Sequence, residues 1–304
     1  MSFAAGFLET GEEKPLEMLV EKITSRQNPL VKRFRRVRNG GEYHLVMVEG
    51  VRLLEEALSA GRHFESVAFT SDLDSTDRGL ALKNDLRNVA CRGAYVSQHV
   101  MEAIADTEHP QGIVALISRP YLELAALFTP SPRMLVVADA LQDPGNLGTI
   151  IRTAEAAGAN GLITTRGTVD PFNGKALRAS MGSAFRLPIA TDARRSEVWA
   201  QCHDHGMKIV VAHPPSRRID KKTVESRPYS SVDWTVPMAI VVGSEAHGIA
   251  SDALAEADLL VHIPMSGTVE SLNVSTAASI LLYEAARQRQ FRFEQNLAEE
   301  ARQT

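Results

Sequence analysis

The stretch VHIPMSGTVESLNVS, residues 261–275, decides the fold of this 304-residue chain together with two similar stretches. They are VVGSEAHGI, residues 241–249, and DALQDPGNLGTIIR, residues 139–152. In all three, an apolar strand-like run adjoins a loop rich in Gly, Pro, Asn or Ser, and a helical pattern follows. Loops at strand ends in α/β sheets bind ligands because their backbone groups are exposed there. The three stretches therefore predict one site built from three strand ends.

The surrounding residues predict a parallel α/β sheet with helices on both faces. Continuous apolar runs are typical of buried parallel strands. They occur at Met134–Ala138, Gly161–Thr164, Lys208–Ala212, Met238–Val242 and Leu259–Ile263. Helical patterns lie between most of them, at 147–157, 175–184, 197–205 and 252–256, and a last helix is predicted from Val274 to about Gln290.

The N-terminal half predicts a second, smaller α/β domain, because strand-like and helix-like segments alternate again between residues 23 and 118. Asn28-Pro29 is a good helix start, since Asn caps helices and Pro is tolerated at the first helical position. The predicted organisation is a flexible arm (1–22), this domain (23–118), a proline-containing linker with a short apolar helix (119–132), the parallel-sheet domain (133–291) and a tail (292–304).

Composition excludes several classes of protein. Hydrophobic residues make up 44% and charged residues 23%, which is ordinary for a globular protein. No run is long enough to span a bilayer, and no signal peptide is evident. Cys91 and Cys202 are far apart without a CxxC spacing, which favours a reducing cytoplasm over disulfides. The 202–205 run, CHDH, fits no standard metal spacing, and residues 145–148 lack the nucleotide-binding glycine pattern, so neither metal nor NAD is expected.

The charge distribution indicates a nucleic-acid partner although the net charge is −4. Residues 1–21 carry five acidic residues and one base. Residues 22–38 carry no acid and seven bases: Lys22, Arg26, Lys32, Arg33, Arg35, Arg36 and Arg38. Such a basic block is a candidate phosphate-binding surface, although runs of charge are more often a solvated face.

The three stretches resemble the three motifs of the SpoU (TrmH-type) branch of the SPOUT methyltransferases, over residues 133–291. The resemblance implies an S-adenosylmethionine-dependent RNA 2′-O-methyltransferase, a trefoil-knotted cofactor site and a homodimer. The N-terminal half looks like the substrate-binding domain fused to many SpoU enzymes, whose fold is shared with certain ribosomal RNA-binding proteins. It implies RNA contact by Arg26, Lys32, Arg33, Arg35 and Arg36.

The resemblance also assigns site residues, each of which has a plainer structural interpretation. Arg152 follows Asn146 in the family's Asn-x5-Arg spacing and would grip an RNA phosphate; by spacing alone it would pair with Glu155. Asn146 could instead cap the helix after it, and Ser271 or Asn273 the last helix. The implied catalytic set is Arg152, Asn146, Glu245, Ser271 and Asn273. The implied cofactor-binding set is Thr165, Gly243, Ile263, Met265 and Leu272. Ala246 departs from the commoner Glu-Gly pattern of the second motif.

Taken together, the sequence predicts a cytoplasmic, dimeric RNA ribose 2′-O-methyltransferase that acts on large-subunit rRNA. A tRNA substrate is the alternative within that activity. A catalytically silent RNA-binding or ribosome-assembly factor is the alternative from another class, and the intact motif residues argue against it. The motifs do not specify the target nucleotide, nor whether its methylation serves ribosome maturation or antibiotic resistance.

Overall fold

A computed structural model describes residues 19–89, 91–131, 133–213, 218–219, 222–223, 226–243, 249, 251–269 and 271–300. The described chain divides into two compact units. The first contains the residues up to Leu54 together with His63–Ser118. The second contains Glu55–Arg62 and the residues from Arg119 onward.

The first unit is built on a mixed five-stranded sheet with the order β1-β4-β3-β5-β2. Its strands are β1 (Leu19–Ile23), β2 (Leu45–Glu49), β3 (Phe64–Phe69), β4 (Arg92–Val96) and β5 (Ile113–Ser118). The helices of this part of the chain are α1 (Pro29–Arg38), α2 (Val51–Ser59), α3 (Asp77–Arg87) and α4 (Gln98–Ile104), with a 3-10 turn at Ser71–Ser75. β1 and β3 run parallel to β4, whereas β5 runs antiparallel to both β2 and β3.

The start of α1 confirms the prediction made from Asn28-Pro29. The Asn28 side chain accepts a hydrogen bond from the Leu30 N–H at 2.8 Å, and Pro29 is the first helical residue. Phe34 and Val37 lie on the buried face of the helix and belong to the same core cluster as strand and α4 side chains. The basic residues between these apolar positions are left on the outer face.

β1 lies where the sequence predicts a flexible arm ending at residue 22. The strand pairs in parallel with β4 along its whole length, from Leu19 opposite Arg92 to Ile23 opposite Val96. It is an edge strand, and Val20 is 54% exposed whereas Ile23 is buried. A strand that buries so little apolar surface shows no alternating pattern in the sequence. The hydrogen bonds to β4 therefore identify β1 as a strand, and its sequence does not.

The second unit contains a seven-stranded, fully parallel sheet with the order β12-β14-β9-β13-β6-β7-β8. Its strands are β6 (Met134–Asp139), β7 (Gly161–Thr165), β8 (Ile189–Ala193), β9 (Lys208–Ala212), β12 (Arg227–Pro228), β13 (Met238–Gly243) and β14 (Leu259–His262). β10 (Arg218–Ile219) and β11 (Lys222–Thr223) form a separate antiparallel pair. The predicted parallel α/β fold is confirmed, and the five apolar runs are five of these strands.

Helices follow most strands of this sheet, as the alternating pattern predicts. They are α5 (Pro144–Ala156), α6 (Gly174–Ser180), α7 (Ser183–Arg186), α8 (Arg195–Asp204), α9 (Ser251–Ala255) and α10 (Val274–Glu300). Leu127 and Phe128, in a 3-10 turn of the predicted linker, are buried in the core of this unit beside strand and α8 side chains. No helix in the described ranges has both the length and the apolar content needed to cross a membrane.

Three features of this unit differ from the prediction. The strand β8 was not predicted, because Thr191 and Asp192 interrupt its apolar residues and Asp192 has a positive φ of 59°. The predicted helix at 175–184 is two helices, since Met181 adopts a left-handed conformation and Gly182 follows with φ 91°. α10 also continues to Glu300, past the predicted end at Gln290.

Candidate active site

The first two motifs meet at one edge of the parallel sheet. Asp139, the last residue of β6, lies opposite Gly243, the last residue of β13. On the other side of β6, Ala138 lies opposite Thr164 of β7. Since parallel strands end at the same edge, the loops after β6, β7 and β13 all begin there.

Asp143 caps α5, which corrects the interpretation of Asn146 as the capping residue. The Asp143 side chain accepts a hydrogen bond from the Asn146 N–H at 2.7 Å, and Lys175 donates to its other oxygen at 3.1 Å. The bond from the Asn146 N–H, followed by the one from Lys175, lowers the pKa of the Asp143 carboxyl. With the cap supplied by Asp143, the Asn146 side chain is left for another partner.

That partner is Asn273, which joins the third motif to the first. The Asn273 Nδ2 donates to the Asn146 Oδ1 at 3.0 Å. The Oδ1 of the same Asn273 amide accepts from the Ser275 N–H at 2.9 Å and from the Thr276 N–H at 3.3 Å, so it caps α10. The Asn273 amide therefore uses both its nitrogen and its oxygen. Its two sets of hydrogen bonds bring the N-terminal ends of α5 and α10 together. Two helix N-termini give this place a positive electrostatic character.

Close packing holds α5 in position on both sides. On the α10 side, the Thr153 and Ser279 hydroxyls are 3.2 Å apart. On the α6 side, a Cβ added to Gly148 would lie 2.4 Å from the Ala176 carbonyl oxygen and 2.6 Å from the Ala179 Cβ. Glycine is needed at position 148 because the two helices approach too closely for any side chain.

Arg152 lies on the exposed surface of α5 and is not paired with Glu155. The Glu155 carboxylate is held instead by Arg186, through bonds of 2.6 and 3.0 Å, and these bonds lower its pKa. Arg152 forms no ion pair with any described residue. Its Cα is about 9 Å along the helix axis from that of Asn146, and helical side chains lean toward the N-terminus. The guanidinium is therefore directed toward the Asn146 end of α5.

The side chain of Thr165 has a structural role, and its contact with the cofactor stays a prediction. It is only 3% exposed, and its hydroxyl donates to the Asp139 Oδ1 at 2.7 Å and accepts from the Ala140 N–H at 3.1 Å. Arg195 forms an ion pair with the same Asp139 carboxylate, at 2.9 Å. Neither Asp139 nor Arg195 was identified as a site residue from the sequence.

The remaining predicted cofactor residues lie along the same edge of the sheet. Ile263 and Met265 follow β14, Leu272 precedes α10, and all three are partly buried. Gly243 is the last residue of β13. Because β9 lies between β13 and β14, these two strands are about 10 Å apart. Residues 264–269 lie outside every helix and strand and form no backbone–backbone hydrogen bond with another described residue. Ser271 is exposed, and Glu245 lies outside the described residues.

In the basic helix α1, which belongs to the first unit, acidic side chains neutralise some of the basic residues and leave others without an ion pair. Arg33 pairs with Glu42 at 3.1 Å and also with Glu65. Arg36 lies 3.5 Å from the same Glu42 carboxylate but is itself 64% exposed. Lys32 and Arg35 are exposed and form no ion pair within the described part of the chain.

Two further basic residues, one at the end of α1 and one just before its start, donate hydrogen bonds to backbone carbonyls. Arg38 donates to the Ala105 carbonyl at 2.6 Å, and Arg26 donates to that of His99 at 3.2 Å. Ion pairing with two acids therefore removes Arg33 from the predicted phosphate surface. Lys32, Arg35 and Arg36 on α1, and Arg26 before it, are all exposed and stay predicted phosphate contacts.

The described residues contain no cluster of His, Cys, Asp and Glu that could hold a metal ion. In the 202–205 run, Cys202 is fully buried, and this burial raises its pKa to about 12. The His205 ring packs against Phe128 with a centroid distance of 5.0 Å. These residues belong to the core and its border.

Known proteins resemble this chain over both units. The SpoU rRNA Methylase family matches residues 133–283, and the MRM3-like substrate binding domain matches residues 28–115. The Bacillus subtilis 23S rRNA (guanosine(2553)-2′-O)-methyltransferase RlmP is 31% identical, over 87% of this chain and 98% of that protein. The Streptomyces viridochromogenes 23S rRNA (uridine(2479)-2′-O)-methyltransferase is 30% identical, over 92% and 95%.

A solved structure shows the same likeness in three dimensions. The AdoMet-bound rRNA methyltransferase from Sinorhizobium meliloti superposes with a TM-score of 0.75 at 30% identity. The match covers 88% of this chain and 98% of that one.

Proposed function

The chain belongs to the SpoU rRNA methylase family, and we propose on that basis that it is an S-adenosylmethionine-dependent RNA ribose 2′-O-methyltransferase acting on large-subunit rRNA. The observation that carries the proposal is the Asn146–Asn273 hydrogen bond. It joins the first and third motifs at two helix N-termini, with Arg152 on the same helix as Asn146. The two relatives described above modify a guanosine and a uridine, so the target base is not part of the proposal.

The residues at the sheet edge fit S-adenosylmethionine. An adenosine needs an apolar slot with backbone donors and acceptors along its edge. Ile263, Met265 and Leu272 supply partly buried apolar side chains. Residues 264–269 lie outside every helix and strand, so their backbone groups can bind a ligand. Gly243 allows close approach from the neighbouring loop. When bound, S-adenosylmethionine supplies an electrophilic sulfonium methyl group.

In the reaction, the residues of this chain align the ribose hydroxyl with the methyl group and stabilise the negative charge that develops on the hydroxyl oxygen. The attacking ribose hydroxyl must lie in line with the methyl group, so positioning accounts for a large part of the rate. Arg152 is exposed on the same helix as Asn146, and its guanidinium can hold an RNA phosphate through two parallel hydrogen bonds. It does not act as the base, because arginine stays protonated in proteins. Its charge also stabilises the alkoxide that develops as the hydroxyl proton passes to the bound phosphate, to Glu245 or to water, with S-adenosylhomocysteine as the leaving group of the transfer.

The domain of residues 23–118 selects the RNA in this proposal, and Lys32, Arg35 and Arg36 on α1 contact its phosphates. These side chains lie at i, i+3 and i+4 on the helix and therefore share one face. Arg33 is excluded because Glu42 and Glu65 already neutralise it. The homodimer, the knot and the cytoplasmic location that the resemblance and the composition imply stay predictions.

The direct test is methyl transfer from labelled S-adenosylmethionine to rRNA and tRNA pools that lack the modification. Label in the rRNA pool alone, at a single linkage resistant to alkaline cleavage, is the expected result. Arg152→Ala should abolish the label while cofactor binding persists. Label in the tRNA pool alone would reject the rRNA substrate. Absence of both label and cofactor binding would favour the silent RNA-binding alternative.

The α1 surface is tested by the salt dependence of RNA binding. Removing one phosphate contact should weaken binding uniformly across sequences and reduce the salt slope by about one. We expect this for Lys32→Gln and for Arg35→Gln. Arg87→Gln is the matched control, since Arg87 is an exposed cation at the end of α3 in the same unit. Equal slopes for all three variants would remove α1 from the RNA surface.

A further inference from the structure

We propose that Arg195 and Asp139 are positioning residues for methyl transfer, which act on the first motif through the turn at Ala140. The proposal rests on the proposed function and adds to it two residues outside the predicted catalytic and cofactor-binding sets. The Arg195–Asp139 charge pair is linked by hydrogen bonds to the turn at Ala140, which begins the loop that ends at the cap of α5.

The pair is a buried carboxylate gripped by a partly exposed guanidinium. Asp139 is 2% exposed at the end of β6. Arg195, the first residue of α8, approaches it with Nε at 3.3 Å from Oδ1 and with one terminal nitrogen at 3.2 Å from Oδ1 and 2.9 Å from Oδ2. A buried carboxylate is tolerated where a cation and further hydrogen bonds compensate the loss of water. Thr165 supplies one such bond, at 2.7 Å.

These bonds fix the residue at which the chain leaves the sheet. Ala140 follows Asp139 directly and has φ 52°, a left-handed conformation that is strained for alanine. Its N–H donates to the Thr165 hydroxyl, which in turn donates to Asp139. Arg195 orients Asp139, Asp139 orients Thr165, and Thr165 holds the strained turn.

The turn determines where the first motif lies. The next bonds along the chain are Val169 N–H to the Leu141 carbonyl, at 2.8 Å, and Asn146 N–H to Asp143. The loop of residues 140–143 therefore joins the turn to the cap of α5 and sets the position of that helix. Asp139 also lies opposite Gly243, the last residue before the second motif loop. A change in the pair would reach both motifs.

The test compares Arg195→Gln with Arg194→Gln. Arg194 is the neighbouring arginine, is exposed and pairs on the surface with Glu197, so it is a matched control. For Arg195→Gln we expect kcat to fall at least tenfold, with the KM for RNA within about twofold, because phosphate-binding groups on α1 are untouched. Arg194→Gln should keep the wild-type kcat.

A second variant separates positioning from loss of folding. In Asp139→Asn combined with Arg195→Gln, the amide introduced at position 139 can still accept from Thr165, and no charge is left buried without a partner. The double variant should therefore recover part of the kcat lost in Arg195→Gln. A purely additive loss would overturn the proposal.

Hydrogen exchange provides a readout that does not depend on activity. The amides of Ala140, Asn146 and Val169 should exchange faster in Arg195→Gln than in Arg194→Gln, whereas amides of β9 should not change. Normal exchange at these three amides would overturn the positioning role even if the wild type were inactive. An inactive wild type with the expected exchange pattern would reject the methyltransferase proposal. It would still support the link between the Arg195–Asp139 pair and the loop of the first motif. An active wild type whose Arg195→Gln variant keeps its kcat would reject this inference alone.

Discussion

Replacement of Asn273 by Asp separates its role as a helix cap from its role in the site. Aspartate is as good a cap as asparagine, and a negative charge at a helix N-terminus is favourable. The bonds from the Ser275 and Thr276 N–H groups to position 273 would therefore remain. The donor to the Asn146 Oδ1 would be lost, however, because a carboxylate only accepts.

The magnitude follows from this one hydrogen bond. A typical intramolecular hydrogen bond contributes about 1 kcal/mol, which corresponds to roughly fivefold in rate if it is used to hold the reacting geometry. Asn146 would either lose the hydrogen bond from position 273 or rotate its amide so that its Nδ2 donates to the carboxylate. Either change alters which amide atom Asn146 presents to the site. We expect Asn273→Asp to lower kcat at least fivefold. Its Tm should stay within about 2 °C of the wild type, because the favourable negative charge at the N-terminus of α10 offsets the lost hydrogen bond.

The comparison variant is Asn273→Ala, which loses the cap as well. Loss of an N-cap costs about 1 kcal/mol, so Tm should fall by about 2–4 °C. The assay is single-turnover methyl transfer at a temperature well below both transitions, with Tm measured by calorimetry. If Asn273→Asp kept the wild-type kcat while Asn273→Ala lost stability, Asn273 would be a cap alone and the reasoning about Asn146 would be wrong.

Three further predictions follow from single contacts. Arg152→Lys should lower kcat/KM for RNA about tenfold or more, with unchanged Tm and cofactor affinity, since a lysine cannot reproduce the two parallel bonds; near-normal turnover would contradict the phosphate role. Gly148→Ala should lower the free energy of unfolding by about 1–3 kcal/mol in denaturant titrations, because its Cβ would lie 2.4 Å from the Ala176 carbonyl oxygen; an unchanged midpoint would contradict it. The pKa of Asp143 is lowered in the folded state, so its contribution to stability exists above the unfolded pKa of about 3.9 and is lost as the pH falls through the folded pKa. The Tm advantage of the wild type over Asp143→Asn should accordingly be constant above about pH 4 and shrink as the pH falls from there through the folded pKa. A difference that did not change over this range would show that the charge is irrelevant.

The parallel sheet could be predicted because its central strands are buried on both faces. Strands such as β6 and β13 are continuous apolar runs, which leave a clear signal in the sequence. Two edge strands, β1 of the first unit and β8 of the parallel sheet, are not predicted, for the opposite reason. Each has only one neighbour and tolerates exposed or polar residues, so β8 contains Asp192 and β1 contains the exposed Val20. Edge strands are defined by hydrogen bonds to a neighbour that lies far away in the sequence.

The site was predictable only as far as its motifs are local. Asn146, Arg152 and Asn273 could be identified because each lies within a short run of characteristic residues. The bond that makes Asn146 and Asn273 one site spans the fold, and the sequence alone leaves each of them with the plainer role of a helix cap. The structure assigns that role to Asp143 for α5 and to Asn273 for α10, and it leaves the Asn146 side chain as the acceptor between them.

Arg33 and Arg195 show why charge is the hardest property to interpret from sequence. Arg33 belongs to the most basic segment of the chain, yet Glu42 and Glu65 neutralise it from another loop and another strand. Arg195 stands in a segment without any motif, yet it neutralises a carboxylate 56 residues away. A count of charges along a segment makes Arg33 prominent and gives no sign of the role of Arg195. The effect of a charge depends instead on the groups that lie close to it in the folded structure. For this chain, the residues whose charge is available to RNA are consequently those that the fold leaves without an internal acid, Lys32 and Arg35 among them.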